Sequence, residues 1–351
     1  MPRAQRRAGA RRATQADVAR LAGVSSATVS FVLNETSGQS ISAETRQRVL
    51  NAVAQLDYRP NRTAQGLRTG RTATIGFITQ DVDFGAFAGS TIVGAHEAAI
   101  RHGSLLLIMN TSRDARFVWA SINDLLDRQV DALILAVAGT KRVELPDSVR
   151  SVPTVLVNCF ASRSSKPAVL PDEVRGGRDV TQVLLDHGHR DIAYLTGVNA
   201  AWATRARLRG FRQAIVAAGL DPARQTTLAG NYKVDSGYEL TRQLLARKPR
   251  PTAVMCGNDR MAVGALVAIL EAGLRVPEDI SLMGYDDQHG LSSDIHPGLS
   301  TVRLPYHAMG RWAAEQIFAG ALEELPARTY VPCPLVLRES VAAPSSRLRS
   351  A

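Results

Sequence analysis

Three apolar runs of the chain end beside side chains that can bind hydroxyl groups. Asn158 closes the run PTVLVN, Asn258 follows TAVMCG, and Asp286 follows ISLMGY. In open parallel sheets, ligands bind outside the carboxyl ends of the strands, so these side chains are candidates for a shared site. Amides and carboxylates can bind hydroxyl groups in pairs. The pattern therefore indicates a binding site for a small polar molecule.

An aspartate after a strand also has a structural use, because its carboxylate can cap the helix that follows. Asp259 and Asp287 each come one residue after a candidate binding residue. We interpret both as helix caps and assign ligand contact to Asn258 and Asp286.

Signatures of catalysis are weak. His96 and Glu97 begin an HExxH pattern, but Ile100 stands where the second histidine would have to be. Asp286 and Asp287 are adjacent, and neighbouring residues after a strand point in different directions, so they do not suit a pair of glycosidase carboxylates. The sequence has no P-loop, GxGxxG, GxSxG or CxxC motif. We therefore expect a protein that is not an enzyme, with no catalytic residues, no metal site and no cofactor.

The elements that must position these residues follow an α/β pattern from residue 72 onward. Candidate strands are 74–79, 104–109, 131–137, 153–158, 191–197, 252–257 and 280–285, and helices are predicted between them, for example at 92–102, 175–187 and 259–272. Strands that are apolar throughout are buried on both faces, which is typical of a parallel sheet covered by helices. About 280 residues are too many for one compact core, so two such units are expected.

The segment 14–34 has a different pattern, in which two short helices are joined by a glycine turn. Apolar residues recur at i, i+3 and i+4 in both helices, namely Val18, Leu21 and Ala22, then Val29, Val32 and Leu33. Thr14 and Ser25 suit the N-caps, and Gly23 suits the left-handed residue that ends the first helix. This spacing predicts a helix-turn-helix, although an ordinary helical hairpin has the same pattern.

The exposed residues of the second helix, Ser26, Ala27 and Ser30, are small and polar, which suits a surface that enters a DNA major groove. A third helix begins at the cap Ser42 and completes a DNA-binding domain over residues 14–58. The basic segment 59–71 follows, punctuated by Pro60 and two glycines. It is either a linker or a hinge helix that folds only against DNA.

Charge is concentrated at the same end of the chain. Residues 1–71 contain 12 Lys plus Arg against 4 Asp plus Glu, which accounts for +8 of the formal net charge of +10. Residues 1–13 read as a basic disordered tail that can follow phosphates. Neither a signal peptide nor a membrane span is expected, and three cysteines far apart in sequence favour a reducing compartment, so we expect a cytoplasmic protein associated with the nucleoid.

Several motifs in a fixed order resemble the lactose repressor and galactose repressor (LacI/GalR) family of bacterial transcription factors. They are DVARLAGVSSATVSFVLN, ISAETRQRVLNAVAQLDYRPNRTAQGLRTGRTATIGFI, RLRGF, GNDRMAVGAL, VPEDISLMGYDD and PGLSTVR. The resemblance covers nearly the whole chain. It implies an all-α helix-turn-helix headpiece, a hinge helix at 59–71, and a two-lobed α/β core over 72–340 like that of periplasmic binding proteins, with parallel sheets.

The resemblance also places the lobes. The N-lobe is expected at about 72–160 and 304–328, and the C-lobe at about 165–287 and 331–340. Three crossings near 159–165, 287–304 and 328–331 would connect them, and a tail over 341–351 would follow.

In proteins of this family, a dimer reads a palindromic operator through two recognition helices, and the hinge helices enter the minor groove between them. Ser26, Ala27 and Phe31 would face base edges, and Leu67 would be the wedge that bends the duplex. The residues expected to contact DNA are Thr14, Ser25, Ser26, Ala27, Thr28, Ser30, Phe31, Asn34, Asn61, Arg62, Ala64, Leu67 and Arg68.

Phe31 departs from the family pattern, because many relatives have an arginine there that can read guanine. The phenylalanine could pack on a thymine methyl group, or it could turn inward and enlarge the core of the headpiece.

The resemblance adds two residues to the candidate ligand site, since Arg207 matches the family's pocket arginine and Tyr232 an aromatic that often covers a sugar face. The residues expected to contact an effector are Asp83, Phe84, Phe87, Asn158, Arg207, Tyr232, Asn258 and Asp286. An arginine with amides and a carboxylate suits a neutral polyol, so a sugar is favoured.

Together these features predict a transcriptional repressor controlled by a small polar effector. The tail lacks leucine heptads, so a homodimer is expected rather than a tetramer. Two alternatives are a sugar-binding protein of transport type, which shares the two-lobed core, and a sugar-modifying enzyme.

Overall fold

The computed structural model describes residues 13–33, 41–59, 70–80, 86–112, 114–161 and 166–345. Contacts divide the chain into two units, Met1–Thr72 and Ala73–Ala351. Residues 60–69, which contain nearly all of the predicted hinge, lie outside the described part of the chain.

The first unit contains α1 (Gln15–Ala22), α2 (Ser26–Leu33) and α3 (Ala43–Gln55). Thr14 and Asp17 form a capping box at the start of α1, and Gly23 ends it in the left-handed region at φ 64°. The chain turns by 102° between α1 and α2, which is typical of a helix-turn-helix. Ser25 caps α2 through the Thr28 amide at 3.1 Å.

The core of this unit is formed by small and β-branched residues, Val18, Ala19, Ala22, Val29, Val32, Val49 and Ala52. Leu21 was expected on the buried face of α1, but this prediction is wrong, because Leu21 is 46% exposed. The eight-residue helix instead buries Ala19, since the face that meets α3 is centred between Val18 and Ala22.

The second unit begins with a parallel sheet in the order β11-β5-β4-β3-β1-β2. Its strands are β1 (Thr74–Gln80), β2 (Leu105–Thr111), β3 (Ala132–Val143), β4 (Thr154–Ala161), β5 (Ala168–Pro171) and β11 (Arg328–Val331). Its helices are α4 (Ala86–Arg101), α5 (Ala115–Asp127) and α10 (Tyr306–Ala319). Phe77 and Ile134 pack on one face with α4 and α10, and Ile78 packs on the other with α5, so the sheet is covered on both faces as predicted.

A second parallel sheet has the order β7-β6-β8-β9. Its strands are β6 (Ile192–Thr196), β7 (Thr227–Ala229), β8 (Ala253–Cys256) and β9 (Ser281–Met283). The helices around it are α6 (Glu173–Asp186), α7 (Trp202–Ala217), α8 (Val234–Leu245) and α9 (Asp259–Glu271). Two short strands, β10 (Thr301–Val302) and β12 (Leu335–Val336), pair in the antiparallel sense.

Two crossings between the lobes come later in the chain than predicted. β5 and β11 pair with each other in the first sheet, so the chain leaves this lobe after Pro171 rather than at 159–165, and after Val331 rather than at 328–331. Both strands have only four residues, and β5 ends in a proline. Neither has the length or the apolar run that marks a buried strand in sequence.

Among the described residues, no single helix combines the length and apolarity required to cross a membrane. Taken together, α1 and α2 are long and apolar enough, but the chain bends sharply between them. Cys159, Cys256 and Cys333 are buried and are not in disulfides.

His189 links the segment around Ala342 to β9 of the second sheet through hydrogen bonds. It is 1% exposed, and its Nε2 lies 2.9 Å from the carbonyl oxygen of Ala342 and 3.0 Å from Ser281 Oγ. Its Nδ1 lies 2.9 Å from Thr252 Oγ1. Burial lowers the pKa of His189, and the hydrogen bond to Ala342 only partly opposes this. The side chain is therefore neutral in the folded protein at pH 7.

This environment predicts a loss of stability in mild acid. The unfolded chain takes up a proton at His189 near pH 6.5, whereas the folded chain does so only at lower pH. The stabilising contribution of neutral His189 is therefore complete above about pH 6.5 and decreases as the pH falls toward the folded pKa. Because glutamine cannot titrate, the stability advantage of the wild type over His189→Gln should be larger at pH 7.5 than at pH 5.5. Urea titrations at both values measure it, and an equal advantage at both would contradict the assignment.

Candidate functional site

The carboxyl ends of the second sheet bring together three residues that the sequence singled out. β8 and β9 are neighbours in that sheet, and α7 follows the adjacent strand β6. Arg207 on α7 donates from Nη1 to the carbonyl oxygen of Gly257, beside Asn258, at 2.6 Å. Its Nη2 lies 3.5 Å from Asp286 Oδ1. Arg207, Asn258 and Asp286 thus form one cluster at the edge where ligands of parallel sheets bind.

Arg207 is held by Glu173 and Tyr285. Its Nε and Nη2 donate to the two Glu173 oxygens at 2.7 and 2.9 Å, and the guanidinium lies 3.6 Å from the centre of the Tyr285 ring. The Arg207 and Glu173 side chains are each 4% exposed. Burial by itself would lower the pKa of Arg207, but the carboxylates of Glu173 and Asp286 keep it well above its ordinary value. Arg207 is therefore a permanent, fixed cation.

Asp286 faces this cation from the turn after β9, and 29% of its side chain is exposed. Its φ of 114° lies in a region that residues with a Cβ rarely adopt, and its amide is held by the Val302 carbonyl at 2.8 Å. Burial raises the pKa of Asp286 to about 8, although Arg207 acts in the opposite direction. The raised pKa allows this carboxyl group to be protonated near neutral pH, and in that form it can both donate and accept a hydrogen bond.

Asp287 points away from Asp286 and binds a different pair of cations. It accepts from Arg303 at 2.7 Å and from Arg338 at 2.8 Å. Burial raises its pKa, but these hydrogen bonds outweigh the effect and keep it below the ordinary value. The two neighbouring carboxylates therefore bind different cations, Asp286 binding Arg207 and Asp287 binding Arg303 and Arg338. The prediction that Asp287 caps a helix is wrong. Its carboxylate instead links the turn after β9 to Arg303 and Arg338.

The predicted cap at Asp259 is also wrong. Asn258 is the N-cap of α9, since its Oδ1 accepts from the Met261 amide at 3.0 Å. Asp259 is fully buried and accepts from Thr301 Oγ1 at 2.6 Å and from the Gln288 amide at 2.7 Å. Burial raises its pKa to about 6. It anchors the turn that carries Asp286.

Tyr232 is fixed beside this cluster. Its hydroxyl pairs with Thr204 Oγ1 at 2.6 Å, and its carbonyl accepts from Asn258 Nδ2 at 3.1 Å. Its ring lies on Gly197, where an added Cβ would be 1.9 Å from the ring. Only glycine at that position leaves room for the ring, so the aromatic is positioned by the end of β6.

Asn158 was predicted at the end of a strand, but β4 continues to Ala161, so Asn158 lies within it. It is 2% exposed, and its amide is used inside the sheet: Oδ1 accepts from Thr140 Oγ1, and Nδ2 donates to the Val137 carbonyl at 2.9 Å. β3 is also longer than predicted, and its register with β4 shifts between Ala136 and Lys141. Asn158 fills this irregularity.

Of the other predicted N-lobe residues, the structure describes Phe87. Phe87 is 4% exposed, belongs to the core beneath α4, and meets Tyr306 edge to face at 4.8 Å. Asp83 and Phe84 lie outside the described residues.

A cavity of about 660 Å³ opens beside Asp286 at the junction of the lobes. Its walls include Ser90 and Tyr306 from the first lobe, Asp286 from the second, and Arg303 from the segment that connects them. The sequence analysis missed Tyr306, because a single tyrosine between a predicted crossing and a helix matches no motif that would indicate ligand binding. It also missed Glu173, which directly follows Asp172, the cap of α6, and reads as an ordinary acidic first turn.

Trp202, at the start of α7, contacts the first lobe. Its ring meets Phe160 at 5.1 Å, and the Arg328 guanidinium lies 4.0 Å from the centre of the Phe160 ring. This contact joins the two lobes near the predicted ligand site.

The helices that carry Glu173 and Arg207 pack through glycines. An added Cβ on Gly210 would lie 2.0 Å from the Val174 carbonyl oxygen, and one on Gly177 would lie 2.3 Å from the Arg207 carbonyl oxygen. Close approach of α6 and α7 at these points is what allows the Glu173 to Arg207 pair to form.

We therefore expect Gly210→Ala to lower the free energy of unfolding by about 1–3 kcal/mol, the usual cost of overpacking. Urea denaturation measures the effect. Gly89→Ala is the matched control, because Gly89 lies in α4 with no other atom within 4 Å of an added Cβ, and it should be neutral or slightly stabilising. Equal stability of the two variants would show that the glycine contact is not required.

In the headpiece, the described part of the predicted DNA surface lies on α2. Ser25, Ser26 and Ala27 are exposed, and Thr28, Ser30 and Phe31 are partly exposed. Phe31 is not among the described side chains that pack on the headpiece core. These contacts therefore do not support the inward orientation. Thr14 lies at the start of α1, where its hydroxyl belongs to the capping box.

The other residues predicted to contact DNA lie outside the described residues. They are Asn34, Asn61, Arg62, Ala64, Leu67 and Arg68.

Comparison with known proteins gives a consistent picture. Residues 14–61 match the profile of "Bacterial regulatory proteins, lacI family", and residues 181–341 match that of "Periplasmic binding protein-like domain". The HTH-type transcriptional repressor PurR of Pasteurella multocida is 34% identical over 333 residues, which cover 94% of this chain and 98% of that protein.

Two solved structures support the same fold. The lac repressor dimer bound to operator and the anti-inducer ONPF is 29% identical, with a TM-score of 0.75 over 94% of this chain and 99% of that one. The complex of the transcriptional regulator CelR with cellobiose is 29% identical, with a TM-score of 0.63 over 94% of this chain and 100% of that one. The helix-turn-helix, the two-lobed parallel-sheet core and the extent of these matches show that the chain belongs to the lacI family of bacterial regulatory proteins.

Proposed function

We propose that this protein is a transcriptional repressor whose affinity for operator DNA is controlled by a small molecule bound between the lobes of its core. The observation that carries the proposal is the cluster of Arg207, Asn258 and Asp286 at the carboxyl ends of the second sheet, in a chain that also has an exposed, small and polar α2. The relative with 34% identity is a transcriptional repressor. A repressor of this kind is not an enzyme.

The effector that best suits the cluster is a neutral sugar. Asp286 can donate and accept hydrogen bonds, Arg207 supplies one remaining N–H donor at a fixed position, and Tyr232 offers an aromatic face beside them. Such a combination matches vicinal hydroxyl groups and the apolar face of a sugar ring. The related regulator CelR is seen with cellobiose, which supports this class of ligand.

The protein acts as a homodimer in the cytoplasm, where it binds a palindromic operator. The solved lac repressor that it resembles is a dimer on operator DNA. Apolar side chains remain exposed on α4 and β2, among them Val93 at 49%, Ile100 at 59% and Ile108 at 44%. An exposed apolar surface of this kind suits contact with a second copy.

Control of DNA binding requires that the effector prefer one arrangement of the lobes. The contact between Trp202 and Phe160 and the cavity beside Tyr306 both lie where the lobes meet, so a ligand there favours one arrangement over another. The largest change in DNA affinity is then set by the ratio of the effector's affinities for the two arrangements of the lobes.

A thermal-shift screen of the full chain against neutral sugars tests this proposal. A sugar at 100 times its dissociation constant should stabilise the protein by about 2.7 kcal/mol and raise its melting temperature. Asp286→Ala should remove the shift, whereas Asp294→Ala, at an exposed carboxylate after the same strand, should keep it. A shift of equal size in both variants would place the ligand elsewhere. Recovery of the sugar unchanged after incubation separates this proposal from a sugar-modifying enzyme.

A further inference from the structure

Arg207 is the cation at the proposed effector site, but most of its hydrogen-bonding capacity is already used. A guanidinium has five N–H groups. Two are bound by Glu173, one by the Gly257 carbonyl, and a fourth points at Asp286. Little of the charge or the donor capacity of this arginine is left for a ligand.

Other cations do not make up the difference. Arg303 and Arg338 line the cavity beside Asp286, but both are already bound to Asp287, at 2.7 and 2.8 Å. The ion pairs that Arg207 forms among the described residues are with the carboxyl groups of Glu173 and Asp286. The net charge of this group is therefore zero when Asp286 is protonated and negative when it is ionised.

We infer that Glu173, by neutralising Arg207, makes the site selective for uncharged sugars and excludes their phosphate esters and sugar acids. This inference rests on the proposed function, because it specifies the class of effector for the same site. The side chain of Glu173 is a positioning residue, since it acts through Arg207 and is too buried to meet the ligand itself.

The physical reason is the low polarity of the site. A phosphate or carboxylate that enters a buried site loses its hydration and requires an unpaired cation in return. Here the available guanidinium is already paired with Glu173, and the Glu173 carboxylate would repel the anion. A neutral sugar loses less hydration, and its hydroxyl groups can use the remaining donor and acceptor positions of Arg207 and Asp286.

Isothermal titration calorimetry on the full chain tests this selectivity with named probes. Ribose is paired with ribose 5-phosphate, and glucose is paired with glucose 6-phosphate and glucuronate. We expect at least one neutral sugar to bind and its charged derivative to bind at least about tenfold more weakly. The corresponding O-methyl ether controls for size, because it adds bulk without charge, and it should bind within about threefold of the parent sugar.

Glu173→Gln should reduce the ratio between neutral and charged ligand at least about tenfold, because it removes the charge and keeps the shape. Glu324→Gln is the matched control, since it removes the same charge from an exposed position, and it should leave the ratio unchanged. If the Glu173–Arg207 pair had only a structural role, Glu173→Gln would lower the melting temperature and leave the ratio between neutral and charged ligand unchanged. If that variant does not fold, the wild-type comparison of ester with ether decides alone.

Two results would overturn the inference: a wild-type protein that binds the ester as tightly as the sugar, or an unchanged ratio in folded Glu173→Gln. If the wild-type protein binds no sugar and no charged derivative, the proposed sugar effector itself is wrong, and the inference falls with it.

Discussion

Replacement of Arg207 by alanine should destabilise the core by about 3–5 kcal/mol and abolish the response to effector. The substitution leaves the Glu173 carboxylate 4% exposed with no cation beside it. It also removes the guanidinium that packs on Tyr285 and the donor to the Gly257 carbonyl. A buried charge without a partner is among the most damaging changes that a single substitution can make.

Urea denaturation of the purified chain measures the loss, and Arg209→Ala on the same helix is the control. Arg209 is exposed, so its removal should change the free energy of unfolding by less than about 0.5 kcal/mol. The double variant Arg207→Met with Glu173→Met should recover much of the stability, because an apolar pair leaves no charge unpaired. A loss below about 1 kcal/mol for Arg207→Ala would show that the buried pair does not have the role assigned to it.

Introduction of a negative charge on the exposed face of α2 should abolish specific DNA binding. Ala27 is exposed and points away from the headpiece core, so Ala27→Asp should leave the fold intact. In a major groove the new carboxylate would face phosphates and base edges, and such repulsion costs several kcal/mol. We expect operator affinity to fall at least about 100-fold, which corresponds to about 2.7 kcal/mol.

Fluorescence anisotropy with an operator selected from random duplexes measures this affinity. Ala43→Asp makes the same change in net charge at the exposed first residue of α3, and it should retain affinity within about tenfold. If the two variants lose affinity to the same extent, net charge alone explains the loss, and α2 is not the reading surface.

The long buried strands of the core can be read from sequence because each is a continuous apolar run. The predicted first and last residues of β1, β6 and β8 each lie within one residue of the observed ones. The short strands β5 and β11 could not be predicted, since each has only four residues and is recognised by its pairing with neighbouring strands. This is why the crossings were placed too early in the chain.

The candidate site divides in the same way. The placement of Asn258 and Asp286 at one edge follows from the rule that carboxyl ends of parallel strands share an edge, whereas Arg207 was assigned through the family resemblance. Asn158 was assigned to that edge because its strand was predicted to end there. The strand instead continues past Asn158, and the Asn158 amide hydrogen-bonds within the sheet, where the register between β3 and β4 shifts. Glu173 is visible only in three dimensions, because its partner is 34 residues away.

The most direct test of the proposed control is the thermodynamic coupling between effector and operator. Anisotropy gives operator affinity with and without a saturating effector, and calorimetry gives effector affinity with and without operator. We expect each ligand to change the affinity for the other by the same factor, about 5- to 150-fold, and Arg207→Ala to remove the coupling. Operator affinity that is unchanged by a bound effector would contradict this expectation.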